Sequence, residues 1–257
     1  MLLFHRDLGG AGHPPLVILH GMLGSSRNWQ TAGRDLAAKF HVLVPDLRNH
    51  GASPHAGEMT YAALAGDVIA WLDAHGLPRV TLLGHSMGGK IAMLLACRYP
   101  ERVVRLIVVD IAPKHYRWAS HRAEFSAMKE LDLARLSSRA AAEAALEPKV
   151  PDWAMRKFMA TNLERTHAGH WRWTINLPVL AAALSTLEAN PLAPADRFAG
   201  ATLFINGGKS RYVNDDDQHA ILAHFPHVRI ETMPDSGHNP HMERREAFVA
   251  LVLAARQ

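Results

Sequence analysis

The hydrophobic pattern along this 257-residue chain alternates between short apolar runs and longer stretches with helical periodicity. Runs rich in Val, Leu and Ile indicate strands, and they lie near 16–20, 41–45, 80–84, 104–109, 201–206 and 228–233. Between them, apolar residues recur every three or four positions. Over 60–75, one helix face carries Tyr61, Leu64, Val68, Ile69 and Leu72. This alternation predicts an α/β protein with a mostly parallel central sheet and helices on both faces.

One long segment interrupts the alternation. Residues 114–196 are rich in Ala, Leu, Arg and Glu, are punctuated by prolines, and show helical patterns but no convincing strand. The segment follows the apolar run that ends at Asp110, at the sheet edge where α/β proteins bind ligands. We therefore predict a core domain formed by 1–113 and 197–257, and a helical cap, 114–196, that covers the site.

Composition narrows the class of protein. Hydrophobic residues make up 48% of the chain, which is enough for a buried parallel sheet, and the single cysteine, Cys97, fits a reducing compartment. The formal charge is +4, but no run of lysine or arginine points to a nucleic-acid partner. The N-terminus becomes charged too early for a signal peptide, and no apolar stretch is long enough for a membrane span. We expect a cytoplasmic monomer or weak dimer.

The most informative motif is Gly84-His85-Ser86-Met87-Gly88, which reads G-x-S-x-G. It lies between the strand-like run 80–83 and the helix-like run 91–96. A sharp turn from strand to helix strains the backbone of the serine and holds its hydroxyl above the end of the sheet. The motif therefore predicts that Ser86 is a nucleophile that attacks a carbonyl carbon.

Acyl transfer also needs two backbone N–H donors directed at the developing oxyanion. One is expected from Met87, the residue after the nucleophile. The other is expected from Met22, because the buried run 16–19 leads into His20-Gly21-Met22 at the start of a glycine-containing loop. For His20 itself we favour a structural role, in which its ring orients this loop through a hydrogen bond.

A general base is expected late in the chain. Among the 17 histidines, His238 is distinguished by its place in a glycine-containing loop after the strand-like run 228–233. It also follows the serine, as the hydrolase order Ser, Asp, His requires. His241 is the rival base, and we rank it below His238.

The acid that should orient the histidine departs from the commonest arrangement. It usually follows the strand before the histidine's own strand, but here Ser210 occupies that region, and a neutral hydroxyl cannot balance an imidazolium. Asp110, at the end of the run 104–109, is the preferred candidate. The alternatives are Asp215, Asp216 and Asp217, which look more like the first turn of a helix.

Several motifs together resemble the α/β-hydrolase superfamily, and within it the YbfF-type bacterial esterases and their ABHD11-like relatives. They are His20-Gly21-Met22-Leu23-Gly24, Asp46-Leu47-Arg48-Asn49-His50-Gly51, Gly84-His85-Ser86-Met87-Gly88-Gly89-Lys90, Val109-Asp110-Ile111-Ala112-Pro113, Trp171-Arg172-Trp173-Thr174-Ile175-Asn176-Leu177 and Gly207-Gly208-Lys209-Ser210-Arg211-Tyr212-Val213. The resemblance implies the α/β-hydrolase fold and a carboxylic-ester hydrolase with Ser86, Asp110 and His238 as its triad. In that group the acid follows the earlier strand, which maps onto Asp110 and accounts for Ser210.

The residues expected around a substrate are less sharply defined than the triad. They are Leu23, His85, Trp171, Trp173, Asn176 and Tyr212, although any single cap tryptophan is expected more often to pack the cap itself. Lys114 and Arg172 are candidates for recognising a carboxylate or phosphate on the substrate.

These observations predict a serine hydrolase that cleaves carboxylic esters of small or medium acyl chains through an acyl-enzyme on Ser86. The chemistry needs no cofactor and no metal. The partner is a small-molecule ester or thioester. The same triad also serves an acyl thioesterase, another acyl-bond hydrolase or lyase, or a ligand sensor with slow turnover, and the sequence leaves these alternatives open.

Overall fold

All six apolar runs form strands in the computed structural model, which describes residues 1–254. The strands are β1 (His5–Asp7), β2 (Pro15–Leu19), β3 (His41–Pro45), β4 (Val80–His85), β5 (Val103–Val109), β6 (Leu163–Arg165), β7 (Trp171–Trp173), β8 (Ala201–Gly207) and β9 (Val228–Met233). Within the described residues, seven of them form one sheet in the order β1-β3-β2-β4-β5-β8-β9. Every pair in it is parallel except β1 with β3, so the predicted sheet is confirmed.

Helices cover both faces of this sheet. The helices of the structure are α1 (Gln30–Leu36), α2 (Tyr61–Ala74), α3 (Met87–Arg98), α4 (Ala119–Glu130), α5 (Arg139–Leu146), α6 (Trp153–Ala160), α7 (Leu177–Ala182), α8 (Leu184–Glu188), α9 (Asp217–His224), α10 (Pro240–Glu243) and α11 (Arg245–Ala254), with short 3-10 helices at Ser26–Trp29, Pro100–Arg102 and Leu133–Arg135. Of these, α4 to α8 lie within 114–196.

Strand β2 contributes to the hydrophobic core on both sides of the sheet, because successive side chains of a strand point to opposite faces. Leu16 and Ile18 pack on the side of α1 and α11, whereas Val17 and Leu19 pack on the side of α2 and α3.

Backbone pairing continues just beyond the ends of the central strands. The N–H of Ser86 donates to the carbonyl of Val109 at 3.0 Å, and the N–H of Asp110 donates to the carbonyl of Ile205 at 2.9 Å. Ser86 and Asp110 therefore lie side by side at the carboxyl edge of the sheet, at the ends of neighbouring parallel strands.

The expectation that 114–196 holds no strand is wrong. Alongside α4 to α8, this segment contains the antiparallel hairpin of β6 and β7, in which Leu163 pairs with Trp173 and Arg165 with Trp171. Each strand has only three residues, too few to show a period-two pattern against the helical stretches around them. A cross-strand ion pair between Arg172 and Glu164, with 2.7 Å between Nε and Oε1, stabilises the hairpin.

Candidate active site

Ser86 lies at a sharp turn between β4 and α3. Its backbone has φ 52° and ψ −119°, a strained conformation for a residue with a side chain. The flanking glycines permit this turn, since a Cβ on Gly84 would lie 2.2 Å from the carbonyl oxygen of Gly88, and one on Gly88 would lie 2.2 Å from that of Leu19. The sequence thus builds a nucleophile elbow that places the serine above the sheet.

Two free amides lie beside this serine. Met87 is the first residue of α3, so its N–H has no partner inside the helix. Met22 follows Gly21, at which a Cβ would be 3.2 Å from the Cβ of Ser86. Within residues 1–254, the N–H of Met22 donates to no protein acceptor. The two amides predicted to bind an oxyanion thus belong to the residue after Ser86 and to the residue after its contact Gly21.

Asp110 accepts three hydrogen bonds while fully buried. Its Oδ2 accepts from Nδ1 of His238 at 2.7 Å and from the hydroxyl of Ser210, and its Oδ1 accepts from the N–H of Gly207 at 2.9 Å. Ser210 thus donates to the acid, which sequence analysis did not anticipate. These donors compensate the carboxylate for its loss of water.

The bond to Asp110 fixes the protonation of His238. A carboxylate can only accept, so Nδ1 of the neutral ring carries the proton and Nε2 keeps its lone pair. Nε2 is therefore the atom of His238 that can act as a general base. Among the described residues, no hydrogen bond joins the Ser86 hydroxyl to His238, and such bonds often form only with substrate bound.

Two rings hold His238 in place. The buried ring of His85 donates from Nε2 to the backbone carbonyl of His238 at 2.8 Å, and burial lowers the pKa of His85 to about 3. The ring of Tyr212 stacks on the ring of His238 with centroids 3.7 Å apart. His85 and Tyr212, which the sequence analysis expected around a substrate, thus both contact His238.

The other histidines near the site are buried and neutral. His241 stacks on Trp29 with centroids 4.0 Å apart, and burial lowers its pKa well below the ordinary value. His20 donates from Nδ1 to the carbonyl of Gly21 at 2.8 Å and accepts at Nε2 from the N–H of Leu47 at 3.0 Å. These bonds give His20 the loop-orienting role that we favoured.

Two of the remaining pocket candidates, Leu23 and Asn176, take part in hydrogen bonds that join 114–196 to the core. Asn176 donates from Nδ2 to Oδ1 of Asn49 at 3.0 Å, and the carbonyl of Leu23 accepts from Nδ2 of Asn162 at 2.9 Å. The ring of Trp171 lies 5.2 Å from the guanidinium of Arg165. Trp173 lines a cavity beside the hairpin, and Ser86, Asp110 and His238 are not among the residues that line it.

The two residues considered for recognising an anionic group of the substrate, Lys114 and Arg172, each form an ion pair with a carboxylate of the protein. Lys114 pairs with Asp217 at 2.6 Å between Nζ and Oδ2, whereas Nδ1 of His238 bonds to Asp110 and not to Asp217. Arg172 pairs with Glu164 on the hairpin.

The sequence analysis did not single out one buried amine, that of Lys90, whose pKa is lowered to about 7 by burial. Lys90, on the helix of Ser86, donates from Nζ to the carbonyls of Glu188 at 3.0 Å and Ala189 at 2.7 Å. Aromatic rings surround its ammonium group, namely Tyr61, Tyr116 and Trp118. The feature of the sequence that could have indicated this role is the position of Lys90 on the largely buried helix α3.

No cluster of possible metal ligands occurs among residues 1–254, nor does any helix there combine the length and apolar character of a membrane span.

Comparisons with known proteins agree with this architecture. The family model described as "alpha/beta hydrolase fold" matches residues 14–245. A mouse protein named sn-1-specific diacylglycerol lipase ABHD11 is 36% identical over 95% of this chain and 81% of its own length. The esterase YbfF of Escherichia coli is 32% identical over 93% of this chain and 91% of its own length. A solved structure titled "Marine microorganism esterase" is 33% identical, covers 99% of both chains and has a TM-score of 0.96. The chain belongs to the α/β-hydrolase family.

Proposed function

We propose that this protein hydrolyses carboxylic esters of small or medium acyl chains through an acyl-enzyme on Ser86. The observation that carries the proposal is the bond from Nδ1 of His238 to buried Asp110, beside a serine on a strained elbow. It leaves the lone pair of Nε2 of His238 at the sheet edge where the hydroxyl of Ser86 and two free amides also lie.

The reaction has two balanced halves. As Oγ of Ser86 bonds to the ester carbonyl carbon, Nε2 of His238 takes the hydroxyl proton and the carbonyl π electrons move onto oxygen. The N–H groups of Met22 and Met87 stabilise that oxyanion. Its collapse breaks the bond to the alcohol oxygen, which leaves with the proton from His238. Water then repeats these steps on the acyl-enzyme and releases the acid.

The class of enzyme agrees with the relatives, which are named as two esterases and a lipase, so the predicted ester hydrolase is confirmed at that level. We further propose that residues 114–196 act as a cap over the site, because Asn162 and Asn176 bind the loops that follow β2 and β3. The acyl preference, the cytoplasmic location and the monomer or weak dimer remain predictions.

A substrate panel tests the proposal. Wild-type protein should hydrolyse p-nitrophenyl acetate or butyrate with steady turnover, and faster than the matching acyl-CoA thioesters. Ser86→Ala should abolish turnover, whereas Ser126→Ala, which removes an exposed hydroxyl on α4, should leave it unchanged. A burst of one product equivalent followed by negligible turnover would instead indicate a ligand sensor.

A further inference from the structure

A polar cavity of about 450 Å³ lies between the β6–β7 hairpin and the core. One wall contains Arg172, Trp173 and Thr174 of the hairpin, and the opposite wall contains Arg6 of β1 and Arg27 of the first 3-10 helix. Neither the proposed triad nor the two oxyanion donors line it. The cavity is therefore a second concave site, separate from the reacting atoms.

Two arginines in this cavity have no acceptor. Among the described residues, neither the half-buried side chain of Arg6 nor the exposed side chain of Arg27 makes a hydrogen bond or ion pair, and Nε of Arg6 is buried without a partner. A buried N–H that lacks an acceptor is unfavourable, and nearly all such groups in proteins are satisfied. An anionic ligand in the cavity would supply an acceptor for the Nε of Arg6.

The carboxylates that line the same cavity do not supply that acceptor. Asp46 accepts from the N–H of Ser26 at 2.6 Å through Oδ1 and from the N–H of Ala52 at 2.9 Å through Oδ2. Glu164 accepts from Arg172. Each carboxylate thus already has donors, and the positive charges of Arg6 and Arg27 remain available to a ligand.

We propose that this cavity binds the phosphate or carboxylate group of a small molecule, with Arg6 and Arg27 as its charged partners. A guanidinium presents paired N–H donors that match the oxygens of either group. The anion is either a free ligand or a remote group of the ester substrate, and the second case rests on the proposed function.

Isothermal titration calorimetry with inorganic phosphate at low ionic strength tests the site directly. Wild type and Ser86→Ala should bind phosphate alike, because Ser86 does not line the cavity. Arg27→Gln and Arg6→Gln should each weaken binding by at least tenfold. Arg34→Gln is the matched control, since it removes an exposed arginine from the adjacent helix α1 and should bind as wild type does.

A hydrolysis assay distinguishes the two sources of the anion. If the anion belongs to the substrate, Arg27→Gln lowers kcat/KM for p-nitrophenyl hemiglutarate but not for p-nitrophenyl butyrate. If the anion is a free ligand, phosphate binding depends on Arg27 while both esters react as with wild type. The proposal is overturned if phosphate binds equally to Arg27→Gln, Arg6→Gln and Arg34→Gln, or if no saturable binding and no discrimination between the esters occur. Absence of ester hydrolysis with intact phosphate binding would count against the proposed function alone.

Discussion

The ring of Tyr212 lies face to face with the ring of His238, with planes inclined by 14°. The Tyr212 hydroxyl lies 3.4 Å from Nε2 of His121, and Nδ1 of His121 lies 2.5 Å from Oε2 of Glu124. Both His121 and Glu124 are buried on α4. His238 is therefore held by Asp110 at its edge and by a ring across its face, and that ring is linked to residues in 114–196.

Removing this ring should slow hydrolysis. A stacked pair contributes about 0.5–1.5 kcal/mol beyond burial, so Tyr212→Leu should lower kcat by roughly 3- to 10-fold. Tyr212→Phe keeps the ring and should retain most of the activity. Steady-state assays with p-nitrophenyl butyrate measure both variants. Equal losses in the two would show that the hydroxyl, not the stacked face, positions His238.

The assignment of the acid is tested with two asparagine variants. Asp110→Asn replaces an acceptor with a group that no longer fixes Nδ1–H, and should lower kcat by about 10³–10⁴-fold. Asp215→Asn changes an exposed carboxylate and should remain close to wild type. Loss of activity in Asp215→Asn alone would make Asp110 the wrong acid.

Lys90 should contribute to stability rather than to the chemical step. Lys90→Met keeps the length of the side chain but leaves the carbonyl of Ala189 without its donor, whereas that of Glu188 still accepts from the N–H of Tyr116; the substitution should cost about 1–3 kcal/mol. Urea unfolding monitored by tryptophan fluorescence gives this free energy. Lys39→Met, at an exposed lysine, is the control and should change stability little. Equal midpoints for the two variants would refute this role of Lys90.

Buried histidines should make the fold sensitive to acid. Burial lowers the pKa of His50 and of His85 from 6.5 to about 3, so both stay neutral in the folded protein while the unfolded chain takes up protons. The contribution of these two neutral histidines to the free energy of unfolding is therefore fully present above pH 6.5 and is lost as the pH falls from there toward 3. For these two groups the free energy of unfolding should fall by about 2–3 kcal/mol between pH 7 and 5.5.

Urea unfolding at these two pH values checks the prediction. His50→Asn should show a smaller loss than wild type, because one protonating group is gone. His13→Gln, at an exposed position, provides the matched control. A free energy of unfolding that does not change over this range would contradict the buried, neutral state of His50 and His85.

The sequence predicts well what depends on local pattern. Six apolar runs define the strands, and the glycines around Ser86 define the elbow, because strand burial and backbone crowding act over a few residues. Parallel strands then bring Asp110 next to Ser86, which makes their adjacency predictable from strand order.

What the sequence conceals depends on contacts between distant segments. Ser210 donates to Asp110 across 100 positions, and Lys90 reaches the carbonyl of Ala189 across 99 positions. Neither contact leaves a periodic signal. The β6–β7 hairpin was not predicted for another reason. Each of its strands has only three residues, which is too short to be distinguished from a turn within a helical segment.

The most direct test of Ser86 as the nucleophile is a peptide map after labelling with a fluorophosphonate probe. One probe per chain should attach to the peptide that contains Ser86, and label and ester hydrolysis should disappear together in Ser86→Ala. Labelling of another residue, or hydrolysis that persists in Ser86→Ala, would contradict an acyl-enzyme at this position.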